Sequence, residues 1–209
     1  QHIDRNYILM GQPIQLQKEL YEKYWYPMEQ SYGNEYATYF NWFIRDYLSV
    51  KTGTIPVISQ VYEDFKNYVQ NNKSLGTITE IVEDVYKYSG FYVNMVLRKE
   101  THPELRSLFS NILKLKIDTS YPFLLPVYND YAQVVITAEE FKEVVKLVEN
   151  YVFRRAICGI PTNSLNKTFA TLYKSINPSS YVESIQVAFQ LMENYKRFPD
   201  DAEFEREIV

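Results

Sequence analysis

The sequence predicts an all-α protein, a multi-helix bundle of roughly eight to ten helices with short connections. Three observations point there. Apolar residues recur at helical spacing along nearly the whole 209-residue chain, and no stretch alternates with the period of two that a half-buried strand needs. Glycine numbers only 6, too few for a turn-rich β protein or a Gly-rich nucleotide loop. The breaks between periodic segments are a few residues long, as between antiparallel helices. The apolar share is large enough for a sizeable core and is rich in rings, with 20 Tyr and 12 Phe. Tyr can bury its ring and keep its hydroxyl wet, so many of these belong at helix margins.

The elements follow in order. Residues 2–11 read as a short helix stopped by Gly11 and Pro13. Residues 14–30 place Leu16, Leu20, Tyr21, Tyr24, Trp25 and Met28 on one broad stripe, with Pro27 predicting a kink or restart and Gly33 a stop. The cleanest pattern is 35–50, through Tyr36, Tyr39, Phe40, Phe43, Ile44, Tyr47 and Leu48. After a loop at 51–56, Val61, Phe65 and Tyr68 mark a helix over 57–69, broken at 71–74. A long helix is expected from Ser74 to about Leu97, with Gly90 admitting a neighbouring helix at close range. Pro103, at a favoured first-turn position, opens a helix to Leu115, and another covers 120–134. Val134-Val135-Ile136 has the composition of a strand but no obvious partner. Thr137-Ala138-Glu139-Glu140 has the form of a capping box and launches a helix through Phe141, Val144, Val145, Val148 and Tyr151. Further helices are read over 165–176 and 181–194, with a last fragment after Phe198-Pro199-Asp200-Asp201. Phe40, Phe43, Ile44, Tyr47, Phe65, Val85, Phe123, Val148, Leu165 and Phe169 are the predicted core, and 1–209 reads as a single helical domain.

The stretch from Phe153 to Phe169 is the densest polar feature. Gly159 and Pro161 end one helix, and Thr162 or Asn163 can cap the next. Arg154 and Arg155 fall in the last turn of the first helix, where cations complement the helix dipole. Asn163, Asn166 and Lys167 fall in the first turn of the second, where free N–H groups favour an anion. This corner can hold a phosphate or a carboxylate of a neighbouring domain. The competing reading is capping, with one buried Arg paired to an acidic side chain; the two Arg differ because adjacent helical positions point about 100° apart.

Other chemistry finds little footing. The net charge of −4 argues against a surface given over to DNA, though a local basic patch is compatible with it. The single Cys158 forms no disulfide framework and fits a reducing, cytoplasmic setting. No apolar run approaches the length of a membrane span. With His2 and His102 alone, no structural zinc motif can be written, and no nucleophile-elbow glycines frame a serine. The sequence has no P-loop and no dinucleotide fingerprint. We expect no catalytic residue, metal site or cofactor site. A small hydrolase using His102 would need a pocket holding that residue and an acidic partner.

Several phrases, taken in order, resemble the GmrSD-like restriction-system family. They are Arg5-Asn6-Tyr7-Ile8-Leu9-Met10, Leu20-Tyr21-Glu22-Lys23-Tyr24-Trp25, Phe43-Ile44-Arg45-Asp46-Tyr47-Leu48 and Val61-Tyr62-Glu63-Asp64-Phe65-Lys66. The most specific runs from Glu149 through Phe153-Arg154-Arg155 and Pro161-Thr162-Asn163 to Leu165-Asn166-Lys167. Such proteins join a ParB-like N-terminal domain that handles nucleoside triphosphate, a helical region, and a His-Asn-His-type nuclease. Neither end motif is in this sequence: it has no Gly-Gln-Gln-Arg, and no His follows His102. The resemblance therefore implies the helical middle of a longer, modification-dependent restriction endonuclease. That connector would not be catalytic itself, its partners would be the flanking ParB-like and nuclease domains, and DNA contact is compatible with the role. The alternative reading is a stand-alone helical protein-interaction module.

Overall fold

The computed structural model describes residues 9–71 and 76–208, and helix is the only regular structure among them. By contact the chain groups into two compact units, 1–97 and 98–209, against the single helical domain expected from the sequence.

The first unit holds α1 (Ile14–Leu20), α2 (Tyr26–Tyr32), α3 (Tyr36–Thr52), α4 (Val61–Asn71) and α5 (Ile78–Val96). Pro27 explains how α1 meets α2. Its ring would clash with the carbonyl four residues back, and the chain widens into a π turn over Tyr21–Trp25 just before it. α3 packs on α2, α4 and α5. Its inward stripe carries Phe40, Phe43, Ile44 and Tyr47, all buried, and the Phe43 ring meets Phe40, Tyr47 and Tyr92 at 5.5–5.9 Å between centroids. α4 starts at Val61, later than the pattern implied, because a 3-10 turn at Ile58–Gln60 precedes it and Val57 is exposed.

α5 corrects two expectations. It starts at Ile78 under Thr77, whose hydroxyl accepts from Glu80 N while the Glu80 carboxylate accepts from Thr77 N at 2.6 Å. Gly76 thus lies outside the helix with a φ of 113°. Gly90 does not serve a close approach: it is exposed, and an added Cβ meets nothing within 4 Å. Gly90→Ala should therefore raise stability by about 0.5–1 kcal/mol, through the lower backbone entropy of the unfolded chain. A denaturant midpoint that falls instead would show a cost that the surrounding space does not.

The second unit holds α6 (Pro103–Lys114), α7 (Tyr121–Ala132), α8 (Ala138–Ile157), α9 (Leu165–Leu172), α10 (Tyr181–Gln190) and α11 (Asp201–Ile208). α8 is its axis, touching α6, α7, α10 and α11, while α9 packs on α7. The Thr137–Glu140 capping box forms as the sequence predicts. The three residues before it are no strand. Val134 takes a left-handed φ of 60° at the end of α7, with Val134 N bonded to Tyr131 O and Val135 N to Asp130 O. This closes the helix as a Schellman motif, but with a β-branched residue where glycine fits best. All ten predicted core residues are buried. The short helix read over 2–11 lies almost wholly outside the described residues.

Tyrosine hydroxyls join the helices of each unit through shared carboxylates. Tyr47 donates to Asp84 at 2.8 Å. Tyr173 and Tyr181 both donate to Asp130, at 2.9 and 2.6 Å. Burial, with the adjacent carboxylate, pushes all three hydroxyls well above the ordinary tyrosine range. The folded chain thus keeps protons that the unfolded chain releases near pH ~10. The stability they contribute is complete below that pH and is lost as pH rises toward the folded values. On alkaline titration, the tyrosinate absorbance of these rings should appear together with loss of helical circular dichroism. Full ionisation of all tyrosines while the helix signal holds would contradict this.

Candidate functional site

The corner read from the sequence is a joint at the end of α8. Gly159 sits past the helix with a φ of 63°. Ile160 N bonds Arg155 O at 2.9 Å and Gly159 N bonds Ala156 O at 3.2 Å, a second Schellman closure. The chain then passes Pro161, makes one 3-10 turn at Thr162–Ser164 and enters α9. Neither Thr162 nor Asn163 caps that helix. The cap position is Ser164, which makes no side-chain cap bond because its hydroxyl accepts from Arg155 instead, at 3.2 Å.

The two arginines diverge, as helical geometry requires. Arg155 points inward and is only 1% exposed. Its Nη1 donates to the carbonyls of Tyr195 at 2.9 Å and Arg197 at 3.4 Å, and its Nη2 to that of Pro161 at 2.8 Å. The Tyr151 ring lies 5.1 Å from the guanidinium, and the Tyr151 hydroxyl donates to Lys196 O at 2.8 Å. The acidic partner expected for a buried Arg is thus replaced by backbone oxygens and one hydroxyl. Burial pushes the guanidinium below its ordinary value, yet a group this basic stays charged at neutral pH.

Arg154 turns to the other side of α8. Its Nε donates to Asn150 Oδ1 at 3.0 Å and its Nη1 to Pro199 O at 3.2 Å. It also pairs with Asp201 at 2.6 Å and lies 4.8 Å from the Phe204 ring centroid. Both arginines therefore grip the segment that follows α10: Arg155 holds its start at 195–197, and Arg154 holds its end at 199–204. Arg197 adds an ion pair to Glu203 within that segment. A cleft of about 630 Å³ opens beside Arg154, lined by Asn150, Gln186, Gln190, Phe198 and Asp201 among others.

Asn163, Asn166 and Lys167 are exposed on the turn and first turn of α9. The structure thus brings Arg155 together with the 161–164 turn through its carbonyl and hydroxyl, and leaves the other polar groups of that turn facing solvent. What the sequence did not reveal is the third party, the 194–204 segment, which lies some forty residues from the arginines that bind it. Phe153 of α8 also meets Phe204 of that segment, at 6.0 Å between ring centroids.

His102 stands at the start of α6, where its backbone N–H donates to Glu100 at 2.8 Å. Glu100 is buried and also receives the Tyr128 hydroxyl. The acidic neighbour therefore engages the main chain of His102, and the buried Nδ1 of its ring has no partner among the described residues. Cys158 is the cap residue just past the end of α8; burial pushes its thiol up, and the charges of Glu203 and Glu207 add to that. Among the described residues no group of three or more His, Cys, Asp or Glu is placed to hold a metal ion, and no helix is long and apolar enough to cross a membrane. Comparison with family models, with curated proteins and with solved structures finds no match.

Proposed function

We propose that this chain is a helical connector of a GmrSD-like, modification-dependent restriction endonuclease. In this reading it is cytoplasmic and not catalytic itself, and it holds a triphosphate-handling ParB-like domain and a nuclease domain in register. The observation that carries the proposal is that the most specific of the resembling phrases, Glu149 to Lys167, maps onto one joint. Its two arginines fix the path of the chain after α10 on the side of α8. A connector needs such a joint, because a fixed exit direction is what sets the position of a following domain. The exposed Asn163, Asn166 and Lys167 edge is where DNA or a neighbouring domain would be met.

The test uses cells carrying the intact restriction protein and challenged with phage whose DNA bears modified bases. Replacing residues 9–208 by a flexible linker of equal reach should abolish restriction. Lys167→Ala should weaken it without changing the melting of the isolated chain. The isolated chain should neither cut modified DNA with magnesium nor release phosphate from nucleoside triphosphates. Cleavage by the pure chain that a point substitution within it abolishes, or full restriction through the flexible linker, overturns the connector role.

A further inference from the structure

The seam between α6 and α8 is closed at one end and open at the other. At the closed end Lys142, only 5% exposed, bridges Glu104 of α6 and Glu139 of its own helix. At the open end a groove of about 480 Å³ lies between Asn111, Lys114 and Leu115 of the α6 end and Lys146, Glu149, Asn150 and Phe153 of α8. The α8 residues are spaced i, i+3, i+4, i+7, so they form one stripe along the groove wall. Leu115 and Phe153 are 40% and 41% exposed, and Ile157 extends the same apolar line one turn further, at 37%. Lys114 and Lys146 stand at the rim, and Lys116 is one position beyond Leu115. None of these lysines makes an ion pair among the described residues, in contrast to Lys51, Lys87 and Lys142. In a chain of net charge −4, cations without a close ion pair beside exposed apolar side chains are a local reversal of the overall balance, although Lys146 also acts on Glu104 at longer range.

We propose that the open end of the α6–α8 groove docks an acidic peptide segment that carries a large apolar anchor. The anchor enters between Leu115 and Phe153, and carboxylates on either side of it meet Lys114 and Lys146. The volume fits one or two bulky side chains. The wall is a helical stripe, the kind of surface that receives an amphipathic segment. Charge complementarity selects the sign of that segment, because Lys114 and Lys146 together outweigh the one opposing carboxylate, Glu149. Nucleic acid is the less suited occupant, because the cations flank a single pocket and do not track along a backbone. This inference does not depend on the restriction-system reading.

The probe is a fluorescent twelve-residue peptide with a central Leu-Phe pair flanked by Glu and Asp, titrated against the full 209-residue chain. Controls are the same peptide with Lys for each acid, the same with Ala for the anchor pair, and a labelled single-stranded oligonucleotide. Expected is binding of the acidic peptide alone, weakening with added salt. Amide shifts should be confined to 111–116 and 146–157. The double change Lys114→Glu with Lys146→Glu should weaken binding on the order of tenfold while leaving melting unchanged, and Leu115→Ala should act similarly. Both are kept apart from Phe153, which also supports Phe204. The proposal is overturned if the Lys peptide binds as well, if the anchor-free peptide binds as well, if the charge reversal has no effect, or if only the oligonucleotide binds there.

Discussion

Arg155→Ala should destabilise the chain by about 3–5 kcal/mol, the range for breaking a buried charged network. The side chain is only 1% exposed and satisfies three carbonyls and the Ser164 hydroxyl. Removing it strands those acceptors out of water, each at a cost of about 1–3 kcal/mol where no water can enter, and leaves a cavity beside Tyr151. Arg155→Lys should recover little, since an ammonium cannot reach two segments at once as the planar fork does. Arg154→Ala is the contrast: its Asp201 partner is 82% exposed, so the loss should stay near 1 kcal/mol or below. Thermal or denaturant melts of the three variants give the order directly. If Arg155→Ala melts like the parent, the joint is not held by its guanidinium. Hydrogen exchange should show 194–204 losing protection first, since two of the three freed carbonyls belong to that segment.

Phe43→Ala should cost about 3–5 kcal/mol in the other unit. The ring is 0% exposed and sits among Phe40, Tyr47 and Tyr92, each on a wall that backbone geometry holds in place. Two of these neighbours ride on α3 with Phe43 and one on α5, so the void would lie between two helices and could close only if they moved together. Phe43→Leu should cost less, because most of the volume remains. A Phe43→Ala loss under 1 kcal/mol, with unchanged cooperativity, would mean that the aromatic cluster collapses freely. The two substitutions also separate the units: Phe43→Ala should expose tyrosines of 1–97, and Arg155→Ala those of 98–209.

The helices were legible because packing at helical spacing leaves a periodic record, and α3 is the clearest case. What escaped the sequence was mostly local. Thr77 and Glu80 have the same spacing as Thr137 and Glu140, but Gly76 beside them was read as part of the helix. Val134-Val135-Ile136 has strand composition, yet Asp130 and Tyr131 recruit its first two N–H groups to end α7. Gly90 lies in open space, so the neighbour its position in the pattern suggests is not there. At the corner, the divergence of Arg154 and Arg155 followed from helical geometry alone. The partner of Arg155 did not, because it is the main chain of a distant segment, and a carbonyl carries no sequence label.

That last feature bears on how such a protein can change over generations. A side chain that recognises another side chain ties two codons together, so that one substitution calls for a second. Arg155 recognises oxygen atoms that every amino acid supplies, at positions 161, 195 and 197. The identities at 195 and 197 are thus free to drift as far as this contact is concerned, while Arg155 and the backbone path are not. Correlated variation, the usual trail from one position to its partner, would be faint here even where the physical coupling is strong.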